Sequence, residues 1–187
     1  MTELNDDSMR PANLAAAAGR NTPAPAAGPT VIAPWPLRAR PDPDGDPARI
    51  RRLAIIVRDD AFDRLLTPLT FAWEMGRREV EVDILFVLWA VRVLTPEGAR
   101  EVKIDPRYAH REQWLRERLG RDGDPLDILE FLKLVQATGH VRLHACRLAA
   151  ATFDVAAGDL VPEANGIIDP AEFLDRIALR ADHCQYF

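Results

Sequence analysis

Two short apolar runs constrain the fold of this chain more than any other feature. Leu53-Ala-Ile-Ile-Val57 and Ile84-Leu-Phe-Val-Leu-Trp-Ala-Val91 are continuous rather than alternating. A strand with one wet face alternates apolar and polar residues, so an unbroken run belongs to a strand covered by helices on both faces. Neither run approaches the ~20 apolar residues that span a bilayer, and no membrane segment is expected.

Helical signals follow the first run. After Arg58-Asp59-Asp60, the residues Phe62, Leu65, Leu66, Leu69, Ala72, Trp73 and Gly76 recur at helical spacing, with Asp59 or Asp60 available as N-cap. Pro68 lies inside that pattern. Either the helix is kinked there, or a second helix starts with Thr67 as N-cap and Pro68 in its first turn. A second strand is expected over Val80–Leu88, leading into Trp89–Leu94 before Thr95-Pro96 breaks the pattern. A strand, a helix and a strand joined this closely require a right-handed crossover, hence a parallel sheet.

Residues 95–124 are the most polar stretch and read as a surface excursion carrying a charged helix over Tyr108–Leu119. An amphipathic helix from Leu126 to near Gly139 precedes a strand over His140–Cys146, and Arg147–Phe153 is helical by its alanine content. A short strand at Gly166–Ile168, a helix over Pro170–Arg180 capped by Asp169, and a terminal strand over Asp182–Phe187 complete the pattern. The expected fold class is α/β: a three-layer α/β/α sandwich, flavodoxin-like in its layering, around a mainly parallel five-stranded sheet.

Composition sets the boundary and narrows the function. Residues 1–48 hold nine of the chain's 15 prolines and few large apolar side chains, so they are expected to form a disordered Ala/Pro-rich tail ahead of a domain over 49–187. Within the tail, Pro34-Trp35-Pro36 is either an extended docking peptide or part of a plain tether. A net charge of −5, with 24 cationic residues interleaved among 29 acidic ones, argues against nucleic-acid partners. The two cysteines cannot build a disulfide framework, and the N-terminus lacks a basic segment followed by an apolar one, so a reducing, cytoplasmic setting is expected. The four histidines and two cysteines show no zinc-ligand spacing, and no glycine-rich phosphate loop or nucleophile elbow is present. No metal or cofactor is expected.

In parallel sheets, reactive groups collect where the carboxyl ends of strands meet the following helices. The residues placed there are Asp59, Asp60, Trp89, Arg92, Cys146, Arg147 and Asp169. Of these only Cys146 is a strong nucleophile at ordinary pH. A helix N-terminus and the neighbouring Arg147 would both favour the thiolate. His144 lies two residues earlier on the strand, on the same face, where it could tune the thiol or simply be hydrogen-bonded between sheet and helix. Cys146 could equally be a small buried hydrophobe. Cys184, on the terminal strand, is either a resolving thiol or a packing residue. Asp59 and Asp60 could serve as acid and base, or as helix caps.

Three segments carry a family resemblance. Val80–Leu94, reading VEVDILFVLWAVRVL, resembles the second strand and Trp-containing turn of DsrE-type proteins. Asp127–Cys146, reading DILEFLKLVQATGHVRLHAC, resembles their helix, glycine and strand ending in Ala-Cys. Phe173–Phe187, reading FLDRIALRADHCQYF, is similar to the final helix and strand. The chain departs from the pattern at Ala149, where a hydroxyl near the sulfur would be expected, and in the charged stretch 95–124. The resemblance covers about residues 50–187 and implies a sulfur-relay domain, often oligomeric. In such a domain Cys146 carries sulfane sulfur as a persulfide between donor and acceptor proteins. The other reading is a non-catalytic oligomeric module of the same fold, with Cys146 structural.

Overall fold

The two unbroken apolar runs become neighbouring strands at the centre of one sheet. The computed structural model describes residues 50–187; the tail expected over 1–48, including Pro34-Trp35-Pro36, lies outside the described residues. The strands are β1 (Arg52–Val57), β2 (Glu81–Phe86), β3 (Val141–Cys146), β4 (Ile167–Ile168) and β5 (His183–Tyr186). They pair in the order β4-β3-β2-β1-β5, every pairing parallel. The α-helices are α1 (Phe62–Gly76), α2 (Pro96–Glu101), α3 (Glu112–Asp122), α4 (Ile128–Gln136), α5 (Arg147–Thr152) and α6 (Pro170–Arg176). The fold is an α/β sandwich, with helices on both faces of a parallel five-stranded sheet.

Side-chain alternation shows which helix covers which face. A Cβ built on Gly76 of α1 would stand 2.9 Å from Val141 Cγ2, so α1 packs on the face that Val141 presents. His144, three residues further along β3, points to the opposite face and meets Phe173 of α6 edge-on at 6.3 Å. The first face buries Leu53, Ile55, Val57, Val82, Ile84, Phe86, Leu143 and Ala145. The second is covered through Phe173, itself fully buried, and by the 3-10 turn Ala178–Arg180, which lies against β1. Because β2, β3 and β4 build outward from one side of β1 while β5 adds to the other, the topological switch falls between β1 and β5.

Local departures from the expected elements have local causes. α1 runs unbroken through Pro68, and its N-cap is Ala61; neither Asp59 nor Asp60 caps it. Pro68 is buried, so packing offsets the lost backbone hydrogen bond. β2 stops at Phe86, two residues short of the expected end, because Leu88 adopts φ +48° and the chain turns into a 3-10 segment over Leu88–Leu94. The polar stretch begins with α2, whose N-cap Thr95 accepts from Gly98 N at 3.0 Å, passes a 3-10 turn over Pro106–Arg111, and ends in α3, which buries no residue. Asp127 caps α4 and Asp169 caps α6, each accepting a first-turn N–H at 2.8 Å. α6 ends at Arg176, four residues before the predicted Arg180, and the 3-10 turn takes up the remainder.

Candidate functional site

Cys146 is the last residue of β3 and the N-cap of α5. On β3 it shares a face with His144 and Arg142, while Val141, Leu143 and Ala145 take the other. Across the sheet it stands opposite Ile168 of β4. The thiol is free, 4% exposed, and packed within the apolar core together with Ala149 and Ala150 of α5. Its side chain makes no capping hydrogen bond to α5.

The structure does not aim the expected partners at the sulfur. Arg147 pairs its exposed guanidinium with the Asp169 carboxylate, whose other oxygen caps α6 by accepting from Ala171 N. That pair ties the start of α5 to the start of α6 and neutralises the charge expected to favour a thiolate. His144 presents Nε2 to Asp83 Oδ1 at 2.7 Å and makes no hydrogen bond to Cys146. Cys184 sits on edge strand β5, level with Ala54 of β1 and therefore with Asp83 of β2 and Arg142 of β3. Three strand spacings, roughly 14 Å, and four residues of strand rise separate it from Cys146. Within one chain it cannot resolve a persulfide or disulfide on Cys146.

Asp83 was not among the candidates, and it is the charged residue that the core of the described residues encloses, at 5% exposure. Arg142 grips it through Nε at 2.8 Å and through a terminal nitrogen at 2.7 Å, and His144 adds the third contact. Burial pushes this carboxyl up, but the Arg142 and His144 hydrogen bonds outweigh it and hold the pKa at about 2. Glu81 extends the network, accepting from Arg142 at 3.0 Å and standing 3.1 Å from His140 Nδ1. The signal was in the sequence: an aspartate interrupts a β2 that is otherwise apolar from Val82 onward, while Arg142 and His144 alternate along β3.

An apolar rim lies beside the Cys146 end of the sheet. Leu88 and Trp89 leave β2 for solvent, Trp89 being 57% exposed, and Leu148 of α5 is 71% exposed. The Trp89 and Phe153 rings meet at a tilt of 57° with centroids 4.9 Å apart, holding the Leu88–Leu94 segment against the end of α5. A bulky residue in the left-handed region, as at Leu88, stores backbone strain. Arg92 pairs with Glu101 at 2.8 Å and borders a cavity of about 470 Å³ that Asp60 and Lys103 also line. Asp59 faces Arg58 at 3.6 Å and borders a smaller cavity of about 340 Å³ with Tyr108 and Phe187, at the topological switch. Asp59 and Asp60 therefore open onto different cavities. Among the described residues no group of three or more His, Cys, Asp or Glu is arranged to hold a metal ion, and no helix is long and apolar enough to cross a membrane.

No family model and no curated protein matches the chain. Among solved structures, the protein of unknown function MTH1491 from Methanobacterium thermoautotrophicum is similar at 13% identity and a TM-score of 0.44, covering 72% of this chain and 97% of that one. A likeness at that level carries no argument about function.

Proposed function

We propose that the chain is a DsrE-type sulfur-relay domain that carries sulfane sulfur as a persulfide on Cys146. The observation that carries this reading is the place of Cys146, at the carboxyl end of an inner strand where the next helix starts. In the proposed cycle the Cys146 thiolate attacks the outer sulfur of a donor persulfide, R–S–SH. The donor S–S bond breaks, the donor leaves as RS⁻, and Cys146 holds S–SH. An acceptor thiolate then attacks that outer sulfur, the S–S bond on Cys146 breaks, and the Cys146 thiolate is regenerated with no net oxidation. Burial of the sulfur at rest suits a carrier, since a sealed persulfide is kept from stray thiols. Loading and unloading require the packing around the buried sulfur to open, and the apolar rim of Leu88, Trp89 and Leu148 gives donor and acceptor proteins a surface to meet. The domain works as a homo-oligomer in a reducing compartment.

The burial of Cys146 and the engagement of Arg147 and His144 elsewhere favour a second reading: an oligomeric interaction module in which Cys146 fills the core. Incubation with a sulfane donor separates the two. Under the carrier reading the intact mass rises by ~32 Da, one sulfur atom, through the reactive thiolate, and Cys146→Ser abolishes the gain. A wild type that gains no sulfur, and whose Cys146 resists small thiol probes, leaves the module reading standing.

A further inference from the structure

The polar excursion between α2 and α4 is fastened at one end and lightly held beyond it. Phe62 N, at the start of α1, donates to the Lys103 carbonyl at 2.8 Å, and Asp105 N donates to Asp63 Oδ1 at 2.8 Å. The Asp105 carboxylate, 14% exposed, accepts from Arg64 of α1 at 3.2 Å and from Arg107 at 2.6 Å. Backbone and side chains together clamp residues 103–107 onto the first turn of α1. Among the described residues nothing comparable holds α3. It buries no residue, Leu115 and Leu119 reach the core only in part, and the element it packs on most is the 3-10 turn just before it.

One side chain latches α3 to the body of the fold. Arg116 donates to the Leu126 carbonyl at 2.7 Å, and its guanidinium lies over the Phe62 ring, 4.9 Å from the centroid. Glu112, one turn earlier, accepts from Arg116 Nε at 2.9 Å and holds the fork in place. The helix ends at Gly123, whose φ of +83° reverses the chain before Asp127 opens α4. Glycine takes that conformation without penalty, so the turn can serve as a pivot. The span between clamp and pivot lines two cavities. Ala109 and Glu112 border the one of about 470 Å³ together with Asp60 and Arg92, which follow β1 and β2, where parallel sheets place ligands. Arg116 borders a second, of about 350 Å³, with Phe62, Ala99 and Leu126.

We infer that residues 108–122 form a lid over these cavities, clamped at Asp105, pivoting at Gly123 and latched shut by Arg116. The lid opens as a unit while the sheet stays folded, because the interactions that hold it are few and lie at the surface. The inference goes beyond the persulfide-carrier reading and stands if that reading fails.

Hydrogen exchange of the full chain, read by mass spectrometry, tests the lid first. The α3 amides are expected to exchange by an opening that low urea does not speed, while the amides of β1, β2 and β3 follow global unfolding and its urea dependence. An α3 that exchanges at the rate and with the urea dependence of the sheet overturns the inference without any substitution. Arg116→Ala should speed α3 exchange by about tenfold and leave the sheet amides and the urea midpoint unmoved, since it removes one cation–π contact and one charged hydrogen bond. Arg116→Lys, which keeps a cation for the Phe62 ring, should fall between. An unchanged α3 rate in Arg116→Ala, or α3 and sheet accelerating together with a lowered midpoint, counts against the latch. Access to the cavity is read separately by iodoacetamide labelling of an Ala99→Cys variant, located by peptide mapping. Ala99 is 4% exposed, so labelling should be slow and should rise about tenfold when Arg116→Ala is added. Equal rates with and without Arg116 overturn the claim that α3 controls access, and if Ala99→Cys does not fold, the exchange measurements decide alone.

Discussion

Asp83 turns a strand position that should be apolar into the hub of a charged network, and its ionisation ties that network to acid stability. The pKa falls from an ordinary 3.8 to about 2 in the folded chain. A depressed carboxyl stabilises the fold fully above its unfolded pKa and loses that contribution as pH falls towards the folded one. The loss is therefore expected between pH 4 and 2 and amounts to roughly 2 kcal/mol. Urea unfolding at a series of pH values checks this: the wild-type midpoint should drop through that window and the Asp83→Asn midpoint should drop less. Replacing Asp83 with Ala leaves the half-buried His144 without its partner and Arg142 with Glu81 alone, and should destabilise by about 3 kcal/mol. At this scale the sequence identified Cys146 as a strand-end residue by local pattern alone. It could not show that Arg147 would turn to Asp169 or His144 to Asp83, because those partners lie 22 and 61 residues away and meet only once the sheet is assembled.

At the scale of elements, two close contacts set how the helices seat. A Cβ on Gly98 of α2 would fall 2.0 Å from the Arg92 carbonyl oxygen, a backbone atom with no freedom to withdraw. Gly98→Ala should thus cost about 2 kcal/mol or more despite the better helix propensity of alanine, seen as a lowered thermal midpoint. Phe173 anchors α6 through a fully buried ring, and Phe173→Ala should cost about 3–5 kcal/mol and loosen the layer over His144, which hydrogen exchange at α6 would report. Strands and long helices were legible because unbroken apolar runs and 3.6-residue spacing are local signals. Asp169 and Asp127 were readable as caps or helix starts for the same reason, although only Asp169 was assigned. The continuous α1 was not legible, since whether Pro68 breaks a helix depends on the packing around it. Nor was the early end of β2, which follows from the positive φ of Leu88, a conformation that sequence propensity argues against.

For the whole molecule, the sheet order follows from parallel crossovers, and the α/β class was readable from the alternation of strands and helices. The position of β5 on the far side of β1 was not, because nothing local distinguishes an edge strand from its neighbour; that position removes Cys184 from the chemistry of Cys146. Among the described residues β5 is an edge strand of the sheet, and Leu179 and Tyr186 are exposed in the C-terminal segment that carries it. The proposed oligomer should sediment at a multiple of the 20.9 kDa chain mass at micromolar concentration, and a monomer at every concentration would remove that part of the account. The central claim concerns where sulfur resides. Peptide mapping after loading with a sulfane donor and brief exposure to an acceptor thiol tests it most directly. The account predicts ~32 Da, the mass of one sulfur atom, on the peptide containing Cys146 and its loss to the acceptor, as thiolate exchange requires. Sulfur found only on the Cys184 peptide, or on neither, would contradict it.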